Sequence, residues 1–303
     1  MGQLLLFSHA NQKRFDAYLE RRESPLETSD IGFIYSTLAQ CFLPYRDPGV
    51  NHWERHNGKY SLLLSAGAIH DPSNPDKLLE LGLPYGPKPR IFMCYINSLA
   101  VKRKSSVVPI PRTMSALLKE LGLGRRGGPR GSIGVFKDQL MRLAGCAFTI
   151  VGPGPKGGET YTKAPPIKAF TVWLPPNHKS TVWPTEIVLT DDFFQSLQSH
   201  AIPYDIRALR SVQSNARALD IFLWCTQRLP RLNKPLMMTW DDLFDLFGGG
   251  IAKSNQRLFR QKFRADLLAA RMAYPAARME EVKEGYLLQP SPTSVPRLRA
   301  KMR

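Results

Sequence analysis

The sequence has few cysteines and no long apolar run. Its four cysteines (Cys41, Cys94, Cys146 and Cys225) lie far apart and form no C-x-x-C pair. This spacing excludes a zinc ribbon and argues against a disulfide framework, so we predict four reduced core residues. No segment approaches the roughly 20 apolar residues of a membrane span, and the apolar run at residues 4–7 is too short for a signal peptide. We expect a cytoplasmic protein that does not bind membranes.

The usual motifs of catalysis and cofactor binding are absent or incomplete. No His-x-His pair is present, which argues against a DNA-nicking nuclease. Residues 122–127 match a dinucleotide fingerprint by count but follow a predicted helix, and residues 152–158 lack the Gly-Lys-Ser/Thr of a P-loop. His52 and His56 have the i, i+4 spacing of a helical metal pair without a third ligand. We therefore predict no enzyme activity, catalytic residue, cofactor or metal.

Acidic residues are scarce relative to basic ones. The 303 residues contain 42 Lys and Arg against 25 Asp and Glu, a formal net charge of +17. Between residues 88 and 137, Glu120 is the single acid among many cations. Such a positive field attracts polyanions and makes their binding dependent on salt. The charge predicts a nucleic-acid partner.

The most informative segment is a basic amphipathic helix predicted at residues 253–272. At about 100° per residue, cations line one stripe and apolar side chains line the adjacent face. The stripe comprises Lys253, Arg257, Arg260, Arg264 and Arg271; the apolar face comprises Phe259, Phe263, Leu267 and Ala270. One side of such a helix can pack on a core while the other contacts phosphate. The alternative is a surface helix whose cations are simply solvated.

In the first half of the chain, the sequence from residue 90 onward predicts a helix, a strand, a helix, a turn, a helix and a ribbon, in that order. The predicted segments are helices at 31–40, 90–102 and 112–121, extended pieces at 60–64 and 107–110, a glycine-rich turn at 122–131, a helix that Ser132 caps, and strands at 146–151 and 169–174 around a loop at 152–163. From residue 90 onward, this order is that of a winged helix.

The second half repeats this order. A strand at 187–189 precedes helices at 190–198 and 205–228, Thr239 caps a helix at 240–247, glycines 248–250 turn the chain, and the basic helix leads to a ribbon at 281–288. We therefore predict an α+β, mainly helical fold with two tandem winged-helix domains. The predicted boundaries are residues 1–80, packed on the first module; 81–180, the first module; 181–290, the second module; and 291–303, a basic tail.

Three segments carry a resemblance to a known family. Residues 83–90 (LPYGPKPR), the helix end at 99–102 (LAVK) and residues 136–143 (FKDQLMRL) resemble the plasmid-encoded RepA replication initiators. The similarity extends over roughly residues 80 to 290. It implies a protein that binds short direct repeats (iterons) in double-stranded plasmid origin DNA, opens the duplex and recruits a host helicase, loader or initiator protein. It also implies a homodimer that represses its own gene.

Candidate contacts follow from the chemistry of groove recognition. Arg pairs with guanine O6 and N7, whereas Asn and Gln pair with adenine. The predicted base readers lie on the basic helix: Asn255, Arg257, Arg260, Gln261 and Arg264. The predicted phosphate contacts are Lys253, Ser254, Lys262 and Arg271 in the second module, and Arg125, Arg126, Arg130, Ser132, Lys137 and Arg142 in the first.

Two alternatives remain open at the level of sequence. The same basic helices suit a winged-helix transcriptional regulator or partition factor that makes no contact with replication proteins. The first module suits a dimerisation or packing domain as well as a backbone contact.

Overall fold

Helices and short strands are interspersed along the chain in an α+β arrangement. The computed structural model describes residues 9–71, 74–124, 132–153, 159–163, 166–169 and 185–295. Its helices are α1 (His9–Glu23), α2 (Pro87–Arg103), α3 (Met114–Glu120), α4 (Ser132–Gly145), α5 (Asp191–His200), α6 (Ile206–Val212), α7 (Ala216–Arg228), α8 (Trp240–Phe247) and α9 (Gln256–Ala273).

The strands are short. They are β1 (Ile31–Tyr35), β2 (His52–Asn57), β3 (Tyr60–Ser65), β4 (Ala68–Asp71), β5 (Asn74–Glu80), β6 (Val107–Pro109), β7 (Ala147–Pro153), β8 (Glu159–Lys163), β9 (Ile167–Ala169), β10 (Glu186–Leu189), β11 (Ala201–Asp205), β12 (Leu236–Thr239), β13 (Met279–Val282) and β14 (Gly285–Leu288).

The chain divides into two compact units that differ from the sequence-based boundaries. We call Cys41–Ala201 the central unit, and Met1–Gln40 with Ile202–Arg303 the split unit. The N-terminal helix belongs to the split unit because its basic side chains hold backbone carbonyls there. Arg14 Nε donates to the Ser211 carbonyl at 3.4 Å, and Arg21 Nη2 donates to the Met272 carbonyl at 2.6 Å. These long-range contacts leave no periodic signal in the sequence.

The central unit is built on an antiparallel sheet in the order β2-β3-β7-β8. Its buried face pairs Leu62 with Ile150 and Leu64 with Phe148 across β3 and β7. A second sheet has the order β6-β10-β9, and β4 with β5 forms a separate hairpin. Helices α2 and α4 pack together, with Phe92 and Phe136 ring centroids 6.1 Å apart.

The split unit packs α9 on α7 beside the antiparallel sheet β12-β14-β13. The hairpin β13–β14 pairs Met279 with Leu288 and Val282 with Gly285. Strand β1 pairs with β11 in a two-stranded sheet. Along α7, the residues from Ala218 to Gln227 are all buried, as expected of a central helix.

Several predicted elements are corrected. The predicted helix at residues 31–40 begins as strand β1, whose Ile31-Gly32-Phe33-Ile34-Tyr35 sequence favours β structure and pairs with β11. The predicted helix at 205–228 is divided into α6 and α7. The break lies at Asn215, whose side chain accepts from the Arg217 and Ala218 N–H groups and starts a new helix.

The first ribbon also differs from the prediction. Residues 159–163, predicted as loop, form β8 and pair with β7. Of the predicted return strand at 169–174, only residue 169 is described; it ends β9, which pairs with β10. The two histidines at positions 52 and 56 lie on strand β2, so their spacing does not bring them together as it would on a helix.

Candidate nucleic-acid interface

The segment before α9 fixes where the basic helix begins. Thr239 and Asp242 form a capping box at the start of α8: Thr239 Oγ1 accepts from the Asp242 N–H at 3.1 Å, and Asp242 Oδ2 accepts from the Thr239 N–H at 2.8 Å. After α8, Gly250 adopts a positive φ of 79°, which favours glycine. Asn255 then caps α9 by accepting from the Leu258 N–H at 3.2 Å.

The predicted apolar face of α9 is the core of the split unit. Phe259, Phe263, Leu267 and Ala270 are all buried. Phe263 lies within an aromatic layer, with ring centroids 5.6 Å from Phe247, 5.7 Å from Phe259, 6.2 Å from Trp240 and 5.6 Å from Tyr286. This packing fixes the rotation of α9 about its axis and so decides which side chains face outward.

Four predicted contacts on α9 are exposed at the surface of the split unit. They are Arg257, Gln261, Arg264 and Arg271. Within the described part of the chain, Arg257 and Gln261 have no side-chain hydrogen bond or ion pair, and neither has the half-buried Lys262. Because no described residue uses their donors, these three side chains are available to bases or phosphates.

Two other arginines of the stripe lie over an indole. The guanidinium carbons of Arg260 and Arg264 lie 5.0 and 5.1 Å from the ring centroid of Trp240, which is itself buried. Cation–π contacts of this kind hold a guanidinium in place. The two arginines are therefore positioned side chains, whereas Arg257 extends into solvent.

Arg264 also pairs with an acid of the hairpin. Its Nε lies 2.9 Å from Glu281 Oε1 and its Nη2 lies 2.6 Å from the same atom. The hydrogen bond from Arg264 holds the pKa of Glu281 below its usual value, and the bond to Glu281 raises the pKa of Arg264. Burial raises the pKa of Tyr286, which donates to Glu281 Oε2 at 2.7 Å.

The predicted contacts just before α9 lie in a turn. The helix starts at Gln256 rather than at residue 253, because Asn255 is the capping residue. Asn255 uses its side-chain oxygen to cap the helix. A bidentate contact to adenine needs the same oxygen and would compete with the cap. Lys253 and Ser254 are exposed, and Lys253 Nζ lies 3.5 Å from Asp245 Oδ1.

The predicted contacts of the first module have different outcomes. Arg125, Arg126 and Arg130 lie outside the described residues. Ser132 begins α4, and nothing further is described of its side chain. Lys137 is half-buried on α4.

Arg142 is held by two acids of the central unit, and its predicted phosphate contact stays a prediction. Its Nη1 lies 2.8 Å from Asp47 Oδ2 and its Nε lies 3.0 Å from Asp138 Oδ2. The side chain is only 18% exposed, and its guanidinium lies 5.2 Å from the centroid of Tyr85. With two carboxylates as partners, Arg142 has its charge compensated within the central unit.

A buried acid on α9 has no counterpart in the sequence prediction. Asp266 accepts from Asn215 Nδ2 at 2.6 Å and from Arg217 Nη1 at 3.1 Å. Arg217 Nε also donates to the Phe247 carbonyl at 2.8 Å, so the network ties α9 to the start of α7 and the end of α8. Burial raises the pKa of Asp266, against the opposing effects of Arg217 and Asn215. The sequence did contain a signal for this buried acid, because Asp266 lies between the buried positions Phe263 and Leu267 of a basic helix.

The four cysteines are free and buried, as predicted. Desolvation raises the pKa of Cys41, Cys146 and Cys225 to about 12. Among the described residues, no group of three or more His, Cys, Asp or Glu side chains could hold a metal ion. No helix in the described ranges is long and apolar enough to cross a membrane.

Comparison with known proteins gives the class of this basic, α+β protein. The family model described as "Plasmid encoded RepA protein" matches residues 83–242, just over half of the chain. The chain therefore belongs to the plasmid-encoded RepA family and is a plasmid replication initiator. This confirms the resemblance seen in the sequence.

One solved structure shows a weaker similarity. The crystal structure titled "RctB domains 2-3, RctB-155-483" has a TM-score of 0.46 and 10% sequence identity, covering 83% of this chain and 94% of that chain. No curated protein matches the sequence.

Proposed function

We propose that this chain initiates plasmid replication by binding repeated sequences (iterons) in double-stranded origin DNA, with α9 as the base-reading helix. The observation that carries the proposal is the division of α9 into two faces. Phe259 and Phe263 are fully buried, whereas Arg257 and Gln261 are exposed and have no side-chain partner in the described ranges. A helix anchored in this way presents Arg and Gln to base edges in a major groove.

The proposal includes a winged helix in the split unit. Helix α7, strand β12, helices α8 and α9, and the hairpin β13–β14 follow one another in the order of that motif, and β12 pairs with β14. In such domains, the second helix of the helix-turn-helix enters the major groove and the hairpin lies beside it.

A second winged helix in the central unit completes the tandem arrangement that we propose. Helices α2, α3 and α4 and the hairpin β7–β8 support it by their order. The central unit departs from the split unit in its pairing, because β6 joins β10 instead of the hairpin. We propose that this module contacts the DNA backbone or a second copy of the chain, with Lys137 as one backbone contact.

The remaining elements of the proposal concern partners and chemistry. We propose opening of the origin, recruitment of host helicase, loader or initiator proteins, and an autorepressing homodimer, with membership of the plasmid-encoded RepA family as their support. We also propose that the chain acts by binding, without catalysing a reaction. Incubation with supercoiled origin plasmid and Mg²⁺ tests this last point, and nicked or cleaved DNA in proportion to the protein would contradict it.

Replacement of Arg257 tests the base-reading role. Arg257→Ala is expected to weaken binding to the plasmid's origin repeat by about 1–3 kcal/mol, because a bidentate guanine contact is lost. Binding to a random duplex should weaken much less. Fluorescence anisotropy at one fixed salt concentration measures both affinities.

A matched control removes the same charge elsewhere in the split unit. Arg22→Ala removes an exposed arginine on α1 and should lower both affinities equally and slightly. Equal losses on repeat and random DNA for Arg257→Ala would reject base reading by this residue.

A further inference from the structure

The carboxylate of Glu281 meets Arg264 on one side only. The guanidinium offers Nε–H and one Nη2–H to Glu281, with Nε 2.9 and 3.1 Å from the two carboxylate oxygens and Nη2 2.6 Å from Oε1. A guanidinium has five N–H donors in a fixed fork. Both hydrogens of Nη1 and the second hydrogen of Nη2 are thus left over. Within the described residues, Nη1 makes no hydrogen bond of ordinary geometry, and the Tyr286 side chain interacts with Arg264 in addition to Glu281 and raises the pKa of Arg264.

The unused edge of Arg264 has the geometry of a guanine reader. Two parallel N–H donors, one on each terminal nitrogen, match guanine O6 and N7. The side chain is 44% exposed while it is paired with Glu281. A base can then be bound without breaking the ion pair.

Three contacts hold the guanidinium in this orientation. Its carbon lies 5.1 Å from the Trp240 ring centroid, Glu281 fixes one edge, and Tyr286 donates to Glu281 Oε2 at 2.7 Å. Glu281 and Tyr286 face each other across the hairpin. The Tyr286 and Trp240 rings are also in contact, at 5.5 Å. The hairpin is therefore coupled to the base-reading helix through side chains whose positions are defined on several sides.

We propose that Glu281 is a specificity-determining positioning residue that directs the free edge of Arg264 to a guanine and discourages its use on phosphate. This inference rests on the proposed function of α9. The carboxylate acts in two ways. It orients the fork, which reduces the entropy lost on binding a base, and it compensates the charge of Arg264, which weakens non-specific attraction to the DNA backbone.

Selection from a randomised duplex library, followed by sequencing, tests the inference with the full chain. The wild type should enrich a consensus sequence. Arg264→Ala should enrich the same sequence but no longer select one of its guanines. Glu281→Gln should lose about tenfold in preference for that same guanine and keep the other positions. Glu281→Asp keeps the charge on a shorter side chain. Its preference for that guanine should lie between those of the wild type and Glu281→Gln. The pair is exposed and contributes little to stability, so these variants should fold.

Glu280→Gln provides the matched control, because Glu280 is an exposed acid on the same strand and the substitution changes the net charge equally. It should keep the wild-type consensus. On a random duplex, Glu281→Gln should steepen the slope of log affinity against log salt by about 0.9, one extra phosphate contact, relative to Glu280→Gln.

The outcomes separate the inference from the proposed function. Glu281 does not position a base reader if Glu281→Gln keeps the preference for the guanine that Arg264→Ala no longer selects. The same holds if Arg264→Ala keeps its preference at every position. The same conclusion follows if Glu281→Gln and Glu280→Gln have the same salt slope. If the wild type itself enriches no sequence, the proposed function fails, and this inference fails with it.

Discussion

Phe263→Ala is expected to lower the free energy of unfolding by about 4 kcal/mol, in the range for buried phenylalanines. Phe263 is fully buried and contacts four other rings, Phe247, Phe259, Trp240 and Tyr286. Its removal leaves a cavity between α9, α8 and the hairpin, where the protein cannot easily collapse. Because the same layer supports Trp240 beneath Arg260 and Arg264, DNA binding should weaken as well.

Urea denaturation followed by far-UV circular dichroism measures this loss. Lys262→Ala, one residue earlier on the same helix, is the control: its half-buried side chain makes no hydrogen bond in the described ranges, so its stability should change by less than about 0.5 kcal/mol. A loss below about 1 kcal/mol for Phe263→Ala would mean that the aromatic layer is not the core of the split unit.

Asp266→Ala is the second large expected effect, a loss of about 3 kcal/mol in the free energy of unfolding, because it leaves the guanidinium of Arg217 without its carboxylate. Both side chains are nearly buried, 12% and 11% exposed. Asn215 Nδ2 would also lose its acceptor. The predicted consequence is a loosened attachment of α9 to α7.

A double-mutant cycle distinguishes this ion pair from general packing. Arg217→Ala with Asp266→Ala should cost clearly less than the sum of the two single losses, because neither charge is then left alone. Asp266→Asn keeps an oxygen for Asn215 and should cost less than Asp266→Ala. Additive single losses in the cycle would contradict the coupling.

The parts of the site that could be predicted from sequence are those governed by local rules. The buried face of α9 follows from the 3.6-residue period of Phe259, Phe263, Leu267 and Ala270. The start of α8 follows from the capping box of Thr239 and Asp242. Both signals lie within a few residues of the structure they specify, so no knowledge of the rest of the chain is needed.

The parts that could not be predicted depend on contacts between distant residues. Strand β1 requires β11 as a partner about 170 residues away. The pairing of Arg264 with Glu281 and of Asp266 with Arg217 depends on how α9 packs against the hairpin and α7. Arg142 fits a phosphate contact by charge and position, and only the fold brings Asp47 to it.

The most direct test of the central claim is a hydroxyl-radical footprint of the full chain on its own plasmid origin. Binding of repeated sites predicts protected segments that recur at a fixed spacing of roughly two helical turns, about 21 base pairs. Arg257→Ala should lose this protection at protein concentrations where Arg22→Ala retains it. Protection that is uniform along the fragment, with equal affinity for a random duplex of the same length, would contradict sequence-specific origin binding.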